Sequence, residues 1–334
     1  MNPFMKDGYM LPIASINSIY VDHQLAGDMF RPGLLIAEIM KHNTLFGINK
    51  NADDKTILRA FDVIVFSKDH PGFEVANSII SLFSDNFSQV FKTIFKPSIK
   101  SIINRRNWTD EHWKYWKGIK NVFFVGGITE LRFIQIIEEN INQLFLTDDI
   151  DVHAEFVPFS GNIGTKGLSI IALDGESLLF DFGQTNIKRS FVLKKNNKIT
   201  KSIIFDTKQS TFLEYKNLNS HDLTLSAKQL HNYIIDCIME TATETDFKGS
   251  TVLMSIANYV YKGKIFLDRG GYGKLAMLSE NYCVFLSKEL SSKLNRIITV
   301  KMYHDTTAMA IPFKNKRNSA IISLGTAFGI AFPV

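Results

Sequence analysis

The sequence predicts an α/β protein of two lobes, and three observations point there. Its 334 residues are too many for one ordinary compact core and suit two lobes of roughly 150 residues each. The second half reads as three β-rich stretches, a helix, a strand, a helix and a strand. Short apolar strands end at glycine-bearing turns, at Val125-Gly126-Gly127, Asp181-Phe182-Gly183 and Leu324-Gly325. With 45% hydrophobic and 21% charged residues the chain is globular, and a net charge of +5 without long like-charge blocks gives no argument for nucleic acid.

The elements follow in order. Tyr9 to Tyr20 reads as apolar and extended, and Arg31-Pro32-Gly33 opens the helical pattern LLIAEIMKHN. Residues 55–106 place apolar side chains such as Val75, Ile79, Ile80 and Phe83 at helical spacing and predict a helical bundle. Asn107-Trp108-Thr109-Asp110 offers an N-cap, and Asn121 to Val125 reads as a buried strand followed by the helix LRFIQIIEENINQLF. VHAEFVP at 152–158 is a further strand, and Gly161 to Gly167 leads into an apolar helix. Glu176 to Asp181 starts a β-meander that turns at Lys194 to Lys198. A helix is expected from Leu225 to about Thr243, a strand over 251–257, a helix over 275–294, and strands over 297–302 and 320–324.

Four short segments have the residue types phosphoryl transfer needs, and each also has a plain structural reading. Asp181 ends an apolar strand before Gly183, Gln184 and Thr185, so the turn can offer amides and a hydroxyl to a polyphosphate, with Lys188 or Arg189 adding charge; a polar β-turn has the same composition. Asp305, after a strand and before the small residues Thr306 to Ala310, can take a proton from a hydroxyl, or can merely cap a helix. Gly325, Thr326 and Gly329 allow close backbone approach, or a buried strand turn. Gly126 and Gly127, with Thr129 and Glu130 nearby, can border a flat ligand, or form an ordinary turn.

These segments resemble the motifs of the sugar kinase/actin/Hsp70 superfamily, nearest to the hexokinase and ROK sugar kinases. In that family the order is Asp-loop, catalytic Asp, Leu-Gly-Thr loop, then Gly-Gly turn, so this chain looks circularly permuted. The resemblance implies two ribonuclease H-like lobes of the actin-like ATPase fold. Residues 1–170 would equal the usual C-terminal, adenosine-binding half, and 171–334 the N-terminal, phosphate-binding and catalytic half. It implies ATP and Mg²⁺ as cofactors, Asp305 as base, and Asp181 holding Mg²⁺ through water. Phosphate contacts would come from Gly183, Gln184, Thr185, Lys188, Gly325 and Thr326, and adenosine contacts from Gly126, Gly127 and Thr129. The acceptor is expected to be a sugar or sugar-like molecule touched by His304, Asn258, Asn281 and Asp22. Asn17, His23, Asp28 and Glu38 are also available at the N-terminal side.

The chain departs from the family in carrying His304 where an Asn usually precedes the base, and it lacks both the Gly-Glu-x-Gly-His segment and the cysteine-rich zinc site. Two other readings therefore stand beside the sugar kinase: a nucleotide-binding regulatory or assembly protein, and a kinase for a non-sugar acceptor such as pantothenate. The permuted order makes a geometric demand, that the two ends of the chain lie near each other. Cys237 and Cys283 lack metal-ligand spacing, and no apolar run approaches ~18 residues, so a reduced cytoplasmic location away from membranes is expected. The basic and aromatic run Arg105 to Lys117 is expected to be a helix packing its rings inward. A homo-oligomer is left open.

Overall fold

The computed structural model describes residues 2–215, 219–267, 271–325 and 327–333. Its longer early helices are α1 (Pro32–Lys41), α2 (Asp54–Val65), α3 (Phe73–Phe95), α4 (Asp110–Lys117) and α5 (Phe133–Thr147). They begin where the sequence supplies caps. Asp53 accepts from the Thr56 amide at 3.0 Å ahead of α2, and His112 Nδ1 accepts from the Thr109 amide at 3.1 Å ahead of α4. Strands β1 (Asn121–Val125) and β2 (His153–Phe156) flank α5. There follow α6 (Ile163–Ile171), β3 (Gly175–Phe182), β4 (Asn186–Lys195), β5 (Lys198–Ile204) and α7 (Ser220–Glu244). The chain continues through β6 (Thr251–Ile256), α8 (Tyr282–Leu294), β7 (Thr299–His304), α9 (Asp305–Ala310), β8 (Ser319–Leu324) and β9 (Phe328–Ala331).

The chain divides into two compact units. One holds Phe4, Ile13–Gly161 and Asn315–Pro333, the other Met5–Pro12 and Asn162–Lys314. The sequence reading divides the chain at 170/171 and keeps everything after it together; pairing and packing set other limits. β8 runs parallel to β1, with Ser319 opposite Asn121 and Ser323 opposite Val125, which draws residues 315–333 to the first unit. Helix α6 belongs to the second unit because its small residues pack there: a Cβ on Gly167 would overlap the Ala308 carbonyl.

In the second unit, β4 and β5 pair antiparallel, β3 and β4 antiparallel, β3 and β6 parallel, and β6 and β7 parallel. The order is β5-β4-β3-β6-β7, a mixed sheet with β3 at its centre and α7 and α8 as the crossovers. Its apolar side chains alternate as a strand period of two requires. Leu178, Phe180 and Phe182 of β3 enter a core with Ile234, Ile238 and Leu286 from α7 and α8, while Leu179 joins Leu168 and Ala308 on the other face.

The first unit has the sheet order β9-β8-β1-β2, with β8 and β9 antiparallel and the rest parallel. Its core is aromatic. Phe87 of α3 meets Phe124 of β1 at 4.6 Å, Phe124 meets Phe156 of β2 at 4.7 Å, and Phe328 of β9 lies 6.0 Å from Phe87. Trp113 and Trp116 of α4 are buried, so the aromatic face of that basic helix is spent on packing. Phe4 stacks on Phe332 at 5.3 Å.

Three expected elements differ. Residues 9–20 hold the short strand Tyr9–Met10 and a 3-10 turn at Pro12–Ala14, with Tyr20–Val21 beginning a second hairpin. Helix α7 starts at Ser220, earlier than Leu225, because Asn219 accepts from the Asp222 amide at 3.0 Å. The helix expected over 275–294 is split into a 3-10 segment, Gly271–Met277, and α8, which Asn281 restarts. Cys237 and Cys283 are buried free thiols, and among the described residues no helix is long and apolar enough to cross a membrane.

Candidate active site

Two carboxylates dominate the second unit. Asp181 shares the face of β3 that lies under α6, and it is 2% exposed. Its Oδ1 accepts from Ser255 Oγ at 2.8 Å, the residue opposite it on β6, and its Oδ2 lies 3.5 Å from Lys188 Nζ, opposite it on β4. A Cβ on Gly164 would stand 2.7 Å from Oδ2, so glycine is what lets the first turn of α6 approach, bringing its positive end to the acid. The resemblance assigns Gly161 to Gly167 and the helix to closing the usual C-terminal lobe, whereas Gly164 and Gly167 lie within α6 and pack it into the second unit.

Asp305 opens α9 directly after β7. Its Oδ1 accepts from the Thr306 amide at 2.7 Å and lies 3.2 Å from His304 Nε2. Burial pushes its pKa up to about 7, with the Asp181 charge acting in the same direction and the Thr306 amide and Lys188 opposing. Burial pushes His304 the other way, down to about 3, so the ring is neutral near pH 7. The contact between them is accordingly a close approach of a neutral ring to the carboxylate and not an ion pair. The Thr306 hydroxyl lies 2.7 Å from Nδ1, and the tautomer carrying its proton on Nε2 satisfies both neighbours. His304 also stacks on Tyr259 with centroids 4.2 Å apart.

The sequence assigns His304 to the substrate, whereas the structure engages both of its ring nitrogens within its own turn. It holds Asp305. Asn258, at the exit of β6 beside Tyr259, is different: it is 2% exposed, its Nδ2 donates to the Phe266 carbonyl at 3.2 Å, and its Oδ1 has no partner. A buried orphan acceptor of this kind suits a ligand hydroxyl.

The turn after β3 is tied from within. The Gly183 amide donates to the Asn186 carbonyl at 3.1 Å, so it closes the hairpin and is not directed at a phosphate. Gln184 Nε2 donates to the Ala257 carbonyl at 3.2 Å, which removes that side chain from the ligand set, and Thr185 is exposed. Arg189, one residue after Lys188, faces the opposite side of β4 and pairs with Glu240 and Glu244. Asn281 is the N-cap of α8, accepting from Val284 and donating to Lys262, and has no free amide group for a substrate.

The remaining sequence-assigned residues belong to the first unit. Gly126 has φ +135, and a Cβ there would lie 2.8 Å from the Leu324 carbonyl. Beside it, Gly127 is exposed with open space where a Cβ would stand. Thr129 is buried, and its hydroxyl contacts the Gly126 and Val157 carbonyls and Ser160 Oγ at 2.8, 2.7 and 2.9 Å. It locks the turn and is not turned toward an adenosine. Gly325 follows β8 directly, and Thr326 lies outside the described residues. Asp22 is an exposed turn residue with φ +53. Asn17 is fully used in gripping Phe328, with contacts of 2.7 and 2.9 Å, while Asp28 pairs with Arg31 and Glu38 with Lys41.

Sequence reasoning missed Phe159. This residue is 83% exposed and has φ +52, a conformation a bulky side chain rarely adopts. Its neighbour Ser160 accepts from the Gly126 amide at 2.9 Å, so the strained aromatic residue is anchored to the Gly126 turn. Nothing in its sequence context signals this. An apolar groove of about 500 Å³ between α8 and β7 is a different matter. Ser287 and Ser291 there accept from the Val300 and Ile298 amides, at 2.9 Å each, and serve to close the sheet edge.

Among the described residues no three His, Cys, Asp or Glu side chains converge to hold a metal. A hydrated Mg²⁺ needs few protein ligands, and the Asp181 carboxylate, with Asp305 close enough to feel its charge, fits that mode of binding.

No protein-family model matches the sequence, and no curated protein matches it. Among solved structures, an exopolyphosphatase-like protein is 9% identical and aligns over 64% of this chain and 86% of its own, with a TM-score of 0.32. The PPX-GPPA enzyme of Aquifex aeolicus is 10% identical over 69% of this chain and 83% of its own, with a TM-score of 0.30. Likeness this slight bears on neither fold nor activity, and the strand order stands on its own.

Proposed function

We propose that the protein transfers the terminal phosphoryl group of ATP to a hydroxyl of a sugar or sugar-like molecule. The observation that carries this reading is Asp305, a largely enclosed carboxyl whose side chain is 20% exposed, with its pKa near 7 and one oxygen held by the Thr306 amide beside His304. Held so, Oδ2 is the oxygen left to receive a proton. As the acceptor oxygen forms its bond to the terminal phosphorus, its proton passes to Asp305 and the bond to the ADP oxygen breaks. Asn258 Oδ1 takes a hydrogen bond from a second hydroxyl of the acceptor, which favours a polyol. Hydrated Mg²⁺, held by Asp181, would neutralise charge on the phosphates, and Lys188 adds a further positive charge.

In this reading both sheets belong to the actin-like ATPase fold and the two halves follow each other in exchanged order. The shared strand path and the stacking of Phe4 on Phe332 support it.

Asp305→Asn tests the base. ADP formation with a panel of hexoses, amino sugars, polyols and pantothenate is expected to fall about 10²- to 10⁴-fold in the variant, with ATP affinity kept. Equal turnover in the variant would end the assignment. Tight ATP binding by the wild type without turnover of any acceptor would favour a regulatory protein instead.

A further inference from the structure

We infer that Tyr272 and Ser210 are positioning residues for phosphate binding, because together they hold the Gly183 carbonyl and so aim the Gln184 amide outward. The inference rests on the phosphoryl-transfer reading and names residues of the same site. The Gly183 carbonyl accepts from Tyr272 Oη at 2.9 Å and from Ser210 Oγ at 2.7 Å. The Ser210 amide donates to the Thr185 carbonyl at 2.9 Å, so one residue grips the turn at two points. A trans peptide is planar, with its C=O and N–H pointing in opposite directions. Fixing the Gly183 carbonyl toward Tyr272 and Ser210 therefore turns the N–H of Gln184 away from them. That leaves a backbone donor, three residues after Asp181, held in one orientation before any ligand arrives, which is what anion binding by a turn requires.

The grip has its own foundation. Lys274 is 2% exposed, and its ammonium donates to the Phe212 carbonyl, to the Glu214 carbonyl at 2.9 Å and to Ser226 Oγ at 2.6 Å. Two donors of a buried cation thus fix the segment that follows Ser210, and the third ties it to Ser226 of α7. Gly271 makes this fit possible, since a Cβ there would overlap the Leu213 carbonyl. Gly271, Tyr272 and Lys274 lie in one 3-10 segment, so a single element carries the hydroxyl and braces the chain just after Ser210.

The test compares wild type, Tyr272→Phe, Ser210→Ala and the double variant, using Mg-ATP, tripolyphosphate and adenosine as probes in calorimetry. Each single change keeps the packing and removes one hydroxyl, and is expected to weaken ATP and tripolyphosphate binding about fivefold, the double change more than twentyfold. Adenosine affinity should not change, which a merely structural role would not predict. Ser210→Thr should restore binding. In the wild type, the Gln184 amide resonance should shift on adding Mg-ATP and not on adding adenosine. A folded double variant with wild-type ATP affinity, or a Gln184 amide blind to Mg-ATP, overturns the inference while leaving the kinase reading intact. A wild type that binds neither ATP nor tripolyphosphate overturns both.

Discussion

Strands β4-β3-β6-β7 and strands β9-β8-β1-β2 follow one path, yet only in the first set do acids at two strand ends, Asp181 and Asp305, lie close enough for one charge to act on the other. The residue one short of the strand end is Asp181 in β3 and Ser323 in β8. β7 leads into His304 and Asp305, whereas β2 ends at Phe156 and continues with Val157. The antiparallel hairpin of the first set is braced by Tyr272, Ser210 and Gln184; that of the second turns at Gly325 and is held by Asn17 on Phe328. Equal topology therefore fixes where a site can form, and in the proposed function a few polar residues decide which sheet carries it.

Substitution at the matched positions gives the largest contrast. Asp181→Asn is expected to lower turnover about a hundredfold, the size typical of losing a group that stabilises transition-state charge, while Ser323→Ala changes it less than about threefold. Similar losses in both variants would break the comparison.

The next contrast concerns packing. Gly167→Ala drives a methyl into the Ala308 carbonyl beneath Asp305, and Gly126→Ala combines a φ of +135 with a contact of 2.8 Å to Leu324. Each should cost about 1–3 kcal/mol or more in thermal melts. Gly127→Ala, with open space around it, should leave the melting temperature within about 2 °C of wild type.

Asp305 and His304 also set a pH dependence. Asp305 has a pKa near 7 in the folded chain against 3.8 unfolded, so the folded state holds a proton that the unfolded state lacks, and stability falls as pH rises through that window. His304, near 3 folded against 6.5 unfolded, acts oppositely: stability falls as pH drops below 6.5. Asp305→Asn should therefore be more stable than wild type at pH 8, and His304→Asn should be less sensitive to acid. Turnover that needs the ionised base should rise with pH through about 7. Denaturant midpoints and rates across pH 4 to 9, compared among the three proteins, check both signs.

The smallest effect is at Phe159. Phe159→Gly should relieve about 1 kcal/mol of backbone strain and raise the denaturant midpoint. A lower midpoint would mean that the ring's own packing outweighs the strain.

The strand course was legible because β3, β6 and β7 are short apolar runs ended by turn residues, and the signal for each is local. Asp181 and Asp305 were legible for the same reason, as acids at strand exits. The unit limits were not, because they depend on β8 pairing with a strand nearly two hundred residues earlier and on α6 packing through Gly164 and Gly167. Side-chain roles were hardest to read. His304, Gln184, Thr129 and Asn281 have chemistry suited to ligands, and each is consumed by a backbone or side-chain partner that appears only in three dimensions.

The most direct measurement of the central claim is phosphorus NMR of Mg-ATP incubated with the protein and a polyol acceptor. A new phosphate-ester resonance growing in step with ADP, absent with Asp305→Asn, is the expected result. Inorganic phosphate as the sole product, or no change in ATP with any acceptor, would contradict it.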